Sequence, residues 1–103
     1  MAVVKIKFLD PVHVVSMYRG VDKQDETARA ALKAGYYTTE SELFTVNGDS
    51  EDAADEVFDL TNNPSRGDER FEKYGIGRSL SVGDIVVVGE EQWLCCSFGW
   101  KEL

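Results

Sequence analysis

The strongest constraint on the fold lies in the last quarter of the chain, where Ser81 to Phe98 reads SVGDIVVVGEEQWLCCSF. Ser81, Gly83 and Asp84 form a turn signal, Ile85 to Val88 is an unbroken β-branched run, Gly89 to Glu91 turns the chain, and Gln92 to Phe98 is strand-like. β-Branched side chains crowd a helix and sit well on a pleated surface, so this segment predicts a β-hairpin, Ile85 to Leu103, that closes a sheet at the C-terminal end.

Upstream, the order of elements predicts an α+β chain. Val3 to Leu9 alternates apolar and basic residues as a strand does, and Val12 to Tyr18 reads either as a second strand or as an extension past the break at Asp10-Pro11. Asp25 offers an N-cap for an alanine-rich helix, Glu26 to Ala34, with Gly35 as its left-handed stop and Ala28, Ala31 and Leu32 on one face. Tyr36 to Val46, aromatic and β-branched, predicts a strand or strand pair closed by Asn47-Gly48. Asp49 or Ser50 caps a second helix that buries Ala53, Ala54, Val57, Phe58 and Thr61 and stops at Asn62-Asn63-Pro64. Ser65 to Gly77, with its glycines and mixed charges, reads as a long loop. The expected architecture is one α+β domain over residues 1–103, a small antiparallel or mixed sheet with two helices.

A chain of 103 residues supports a single core. No apolar run approaches the about 20 residues needed to span a bilayer, and the alternating start does not resemble a secretory leader, which points to the cytoplasm and to no membrane partner. Cys95 and Cys96 are adjacent and have no third cysteine to bridge, so one is expected in the core and the other half-exposed on a strand. Two neighbouring cysteines and the lone His13 fall short of a zinc ligand set, and no cofactor is expected.

Charge is unevenly spread. The net charge is −8, and residues 24–63 carry ten acidic and two basic side chains. On the second helix Glu51, Asp52, Asp55, Glu56 and Asp59 fall on the solvent side at i, i+3 and i, i+4 spacing, without compensating lysines. Such a face either keeps a small protein soluble or, with carboxylates spaced like backbone phosphates, competes with nucleic acid for a basic groove on another protein. Direct nucleic-acid binding is not expected, because the chain lacks a basic patch interleaved with aromatics.

Catalytic patterns are weak. His13 stands between Val12 and Val14 in an expected strand, where alternation makes it a surface residue rather than a general base. Pairing it with Cys95 or Cys96 lacks the electropositive setting a thiolate needs. Gly75-Ile76-Gly77-Arg78 lacks both the spacing and the lysine of a phosphate loop. Aromatics are more suggestive of binding: one member of each pair Tyr36/Tyr37 and Trp93/Leu94 should be exposed, Phe98 and Trp100 share a side of an extended segment, and Phe71 and Tyr74 are large apolar groups in the charged loop.

The pairing of SLSVGDIVVV with a closing SFGWKEL, within residues 77–103, resembles the YodL-like family, small modules of phages, plasmids and bacterial chromosomes also appended to antirestriction-type proteins. Cys96 stands where an acidic residue is common there, and Trp100 replaces a second phenylalanine. The resemblance implies no catalytic residues. It implies an accessory protein of a mobile element, acting in the host cytoplasm by binding host machinery; the acidic face adds that the host protein bound has a basic surface. The expected mechanism has Glu51, Asp52, Asp55, Glu56 and Asp59 steering the complex while Tyr37, Phe71, Tyr74 or Trp100 supplies anchors. The alternative is a structural or assembly module of a virion or homo-oligomer, in which the strand Val3 to Leu9 pairs between copies.

Overall fold

A computed structural model describes residues 1–75 and 78–103; Ile76 and Gly77, the centre of the Gly75–Arg78 segment and the end of the expected loop, lie outside the described residues. Among the described residues six strands form one antiparallel sheet: β1 (Ala2–Leu9), β2 (Tyr37–Glu40), β3 (Phe44–Val46), β4 (Ile85–Val88), β5 (Glu91–Cys96) and β6 (Gly99–Glu102). The order is β2-β1-β4-β5-β6, with β3 beside β2 on the same edge of β1. Among the described residues four helices accompany it: α1 (Val14–Arg19), α2 (Gln24–Ala34), α3 (Ser50–Asn62) and α4 (Gly67–Tyr74). The fold is α+β, as expected, and its sheet is open rather than closed into a barrel.

Both faces of the sheet are covered. Val4, Ile6 and Phe8 of β1 turn one way and join Val86, Val88 and Cys95 under Ala53, Ala54, Val57 and Leu60 of α3 and Tyr74 of α4. Leu9, Ile85 and Leu94 turn the other way, against Met17 of α1 and Ala28 and Ala31 of α2. Two-sided cover explains why Ile85–Val88 is apolar at every position instead of alternating. No helix among the described residues is long and apolar enough to cross a membrane.

Four readings of the sequence are corrected. β1 is interior, paired with β2 and β3 on one side and β4 on the other, so it is not an edge that pairs between copies. Val12 to Tyr18 is not extended: the Asp10 carboxylate accepts the Val12 N–H at 3.1 Å, Pro11 opens a 3-10 turn, and α1 follows with only Met17 fully buried. His13 therefore lies at a helix start, not in a strand. The described part of the expected loop Ser65 to Gly77 is helical as far as Tyr74, since Asn63 accepts the Ser65 N–H, Asp68 and Glu69 sit in the first turn of α4, Lys73 in its last, and Gly75 ends it at φ 70°.

The helix limits differ in smaller ways. Asp25 lies inside α2, in its first turn, because a 3-10 turn over Val21–Lys23 starts the helix earlier. Gly35 does end it, at φ 79°. Asp49 takes the N-cap position of α3, but its side chain makes no capping bond; its carbonyl accepts the Asp52 and Ala53 N–H groups. Phe58 is 41% exposed, not buried, and Leu60 takes the inner position. At the C-terminus the expected hairpin is present and a second one is added, in which Cys96 faces Gly99 across the turn Ser97-Phe98. Phe98 and Trp100 consequently do not share one strand.

Candidate functional site

Helical periodicity sorts the α3 carboxylates into two stripes. Asp52, Glu56 and Asp59 follow one another at i, i+4 and i+7, and Glu51, Asp55 and Phe58 do the same one position earlier or back. Glu56 and Asp59 of the first stripe face Arg66, at the end of the 3-10 turn that precedes α4. The guanidinium binds the Glu56 carboxylate, donates to Asp59 at 2.8 Å, and forks onto Glu69 at 2.9 and 2.8 Å. Hydrogen bonds donated to Glu69, Glu56 and Asp59 raise the Arg66 pKa further above its ordinary value, and the same contact with Arg66 lowers that of Glu69. Two of the five carboxylates of the expected acidic face, Glu56 and Asp59, are therefore engaged internally. Replacing Arg66 by glutamine should cost about 1 kcal/mol, the scale of a partly exposed ion-pair network. The check is the denaturant midpoint at unchanged slope, and high salt should narrow the gap.

The second stripe faces the sheet edge. Asp55 accepts the Trp100 indole N–H at 2.7 Å. Asp55, Phe58, Cys95, Cys96, Ser97, Gly99 and Trp100 line a surface hollow of about 240 Å³ between α3 and β6. On the neighbouring strand Trp93 donates to Glu91 at 2.8 Å, and the other oxygen of Glu91 accepts the Ser50 hydroxyl at 3.2 Å. Trp100 thus stands half-buried, its ring fixed by a carboxylate instead of free to collapse.

Beside it, Phe98 is 89% exposed at the tip of the β5–β6 turn. Leaving a phenylalanine outside forgoes about 1.5–3 kcal/mol of burial. The turn that carries it is nevertheless held firmly. Gln24, only 2% exposed, donates to the Met17 carbonyl at 3.0 Å and to the Ser97 hydroxyl at 2.9 Å, while its amide oxygen accepts the Ser97 N–H at 3.0 Å. A turn held in this way that displays an aromatic ring is preorganised for contact, since ordering it costs little on binding.

Other expected site residues lie elsewhere. Tyr74 is 5% exposed, stacks on Phe44, and donates its hydroxyl to the Arg78 carbonyl at 2.9 Å, so it is a core residue and not a surface anchor. Tyr37 is half-buried on the α2 side and donates to the Gly83 carbonyl at 2.6 Å, which ties it to the turn before β4 rather than to the α3 face. Phe71 is 58% exposed on α4, which packs against α3 and β3, away from β6. The structure joins Asp55 to Trp100, assigns Glu56 and Asp59 to Arg66, and leaves Glu51 and Asp52 exposed in the first turn of α3.

The cysteines divide as expected, Cys95 buried and Cys96 half-exposed. Burial, with Asp84 next, pushes the Cys95 thiol up to about 12, so it stays protonated at neutral pH. His13 stacks on Tyr36 with ring centroids 3.6 Å apart, at one end of a hollow of about 280 Å³ lined by Leu9, Met17 and Ala31 on the α2 side. Cys95 faces α3 on the opposite side of the sheet. The structure does not bring this pair together. Among the described residues no group of three or more potential metal ligands converges.

No protein-family model, curated protein or solved structure matches the chain. The site is therefore defined by its own geometry. Phe98 is raised by the sequence only as a partner of Trp100 and not as an anchor, and Gln24 is not raised at all. A signal existed for the first: Ser97-Phe98-Gly99 is a polar–aromatic–glycine tip between strand-like residues, and Gly99 adopts φ 89°. No sequence signal marks Gln24, whose role depends on a residue 73 positions away.

Proposed function

We propose that the chain is a non-catalytic binding protein, an accessory of a mobile element, that inhibits or modulates a host protein by covering a basic surface on it, such as a nucleic-acid groove. The observation that carries this reading is the corner where Asp55 holds the Trp100 indole beside Phe58, next to the turn that presents Phe98 to solvent, with Glu51 one helical turn before Asp55. Aromatic rings supply buried area at low entropic cost, and carboxylates at the rim steer a cationic partner and set the register. The excess of negative charge, −8 over the whole chain, extends that attraction beyond the contact itself.

The resemblance adds support of a divided kind. Ser81, Gly83 and Asp84, from its first block, are engaged in building the entry to β4. Phe98, Gly99 and Trp100, from its closing block, form the exposed corner.

Host lysate passed at low salt over immobilised protein, then eluted with a salt gradient, tests the reading. A retained nucleic-acid-handling protein should be displaced by nucleic acid. The double variant Glu51→Gln/Asp55→Asn should weaken its retention about tenfold, or about 1.4 kcal/mol. Asp59→Asn should change it little, because that carboxylate is already held by Arg66. Equal loss from both variants would mean that only bulk charge matters and would remove the corner from the account.

A further inference from the structure

β6 ends the sheet. Leu103 donates its N–H to the Gln92 carbonyl at 2.8 Å, and Lys101 faces Leu94, so the alternation of an antiparallel ladder turns the main-chain groups of Trp100 and Glu102 outward. Among the described residues no strand pairs with that side. The opposite edge is interrupted. β2 and β3 each cover part of β1, and in the gap between them Ser41 accepts the Ile6 N–H on its hydroxyl at 2.8 Å and donates its own N–H to the Ile6 carbonyl at 2.9 Å.

The open edge separates two unlike surfaces. On the α3 side stand the Trp100 ring and Glu102, with Asp55 on the indole and Glu51 one turn further along α3. On the α2 side a hollow of about 500 Å³ is lined by Val21, Cys96 and Phe98, with Lys101 drawn toward Asp25 at 3.7 Å.

We infer that β6 is a strand-addition site for an extended segment of a partner protein in which basic and apolar residues alternate. Running antiparallel, the residues that exchange hydrogen bonds with Trp100 and Glu102 lie on the same face as those side chains. There arginine stacks on the indole between the carboxylates of Asp55 and Glu102. The intervening apolar residues fall on the α2 side against Phe98 and Val21. Backbone bonds supply affinity and the alternation supplies specificity. Charge decides the occupant, because a second copy would set −8 against −8 whereas a basic segment is attracted. The inference rests on the proposed binding function and adds to it the mode of contact and the chemistry of the segment.

A short synthetic peptide alternating arginine and valine is the probe, with two companions: the same peptide N-methylated at its arginines, and one of equal composition with the arginines and valines in separate blocks. At low salt the alternating peptide should bind and slow amide hydrogen exchange at Trp100 and Glu102. N-Methylation should weaken binding by about tenfold or more, and so should Glu102→Pro, which removes an outward donor that the sheet does not use. The methylated peptide leaves the protein unaltered, so loss of binding cannot be ascribed to misfolding. If the peptides bind and Glu51→Gln/Asp55→Asn weakens them, but methylation, Glu102→Pro and the two amides show no effect, strand addition is wrong while the binding corner stands. If no basic peptide binds, alternating or blocked, both proposals fall. A peptide-free dimer with the Trp100 and Glu102 amides already protected would give the edge to a second copy and overturn the inference.

Discussion

Replacing Asp84 by alanine is expected to cost about 3 kcal/mol of folding stability, more than any substitution in the candidate site. Asp84 is 1% exposed and sits where β1 ends and β4 begins. One carboxylate oxygen accepts the Leu9 N–H at 2.9 Å; the other accepts the Ser81 N–H at 2.9 Å and the Ser81 hydroxyl at 3.2 Å. Arg78 approaches to 3.8 Å while donating to the Leu9 carbonyl and lying over the Phe8 ring. Alanine would leave the Leu9 amide unpaired inside the protein, and the relief of a buried charge offsets only part of that loss. Burial raises the Asp84 pKa against the opposing pull of its Ser81 and Leu9 bonds and of Arg78. A carboxyl whose folded pKa lies above its unfolded value binds its proton more tightly in the folded state. Its titration therefore contributes stability below the unfolded pKa, which is lost as pH rises through the folded one. The gap between wild type and Asp84→Ala should accordingly be wider in mild acid than at neutral pH. Chemical denaturation of both proteins across that range reads the effect directly, and a gap that shrinks on acidification would reverse the assigned direction.

Gly83→Ala should be of similar severity, about 3 kcal/mol, for a different reason. Gly83 adopts φ 99°, a region that disfavours any side chain by about 1–2 kcal/mol. A Cβ there would stand 2.9 Å from Leu9 Cδ2 and 3.1 Å from Met17 Cγ. Both neighbours are buried, at 0% and 1% exposure, so neither can swing into solvent, and overpacking adds about 1–3 kcal/mol. The Gly83 N–H also donates to the Cys95 carbonyl at 2.9 Å, and its carbonyl accepts from Tyr37. A backbone shift that relieves the clash would disturb β2 and β5 together. Thermal unfolding checks this, and a transition within a degree or two of wild type, against the roughly 10 °C or more implied for a chain of this size, would show that the turn relaxes freely.

What the sequence revealed of the fold followed from signals confined to a few neighbouring residues. The β-branched run Ile85–Val88, the stop at Gly35 and the break at Asn63-Pro64 each act within one turn, and the corresponding elements are where those residues put them. Val12 to Tyr18 misled because strand propensity competes there with the helix-starting geometry of Asp10-Pro11, and the tertiary slot for Met17 favours the helix. α4 was hidden by Gly67 and by alternating charges, although Asp68, Glu69, Lys73 and Gly75 carry the usual end signals. The interior position of β1 was not legible at all, since its neighbours β3 and β4 lie about 40 and 80 residues further on.

The candidate site was legible only in part for the same reason. The carboxylate spacing of α3 is local and was readable. Which stripe meets Arg66 and which meets Trp100 depends on packing between distant segments. The two blocks that suggested a family separate physically as well: Ser81, Gly83 and Asp84 shape the sheet, whereas Phe98 and Trp100 face outward. A likeness in the first block speaks for a similar fold and a likeness in the second for a similar contact.

The central claim is that the Asp55–Trp100–Phe98 corner is the surface through which the chain acts. Three immobilised proteins, exposed side by side to the same host lysate at low salt, test it most directly: wild type, a corner variant Glu51→Gln/Asp55→Asn/Phe98→Ser, and a charge-matched control Glu42→Gln/Asp68→Asn/Phe71→Ser. The account predicts a protein retained by wild type and control, released by salt or nucleic acid, and lost on the corner variant. Equal retention on all three, or loss on the control alone, would contradict it.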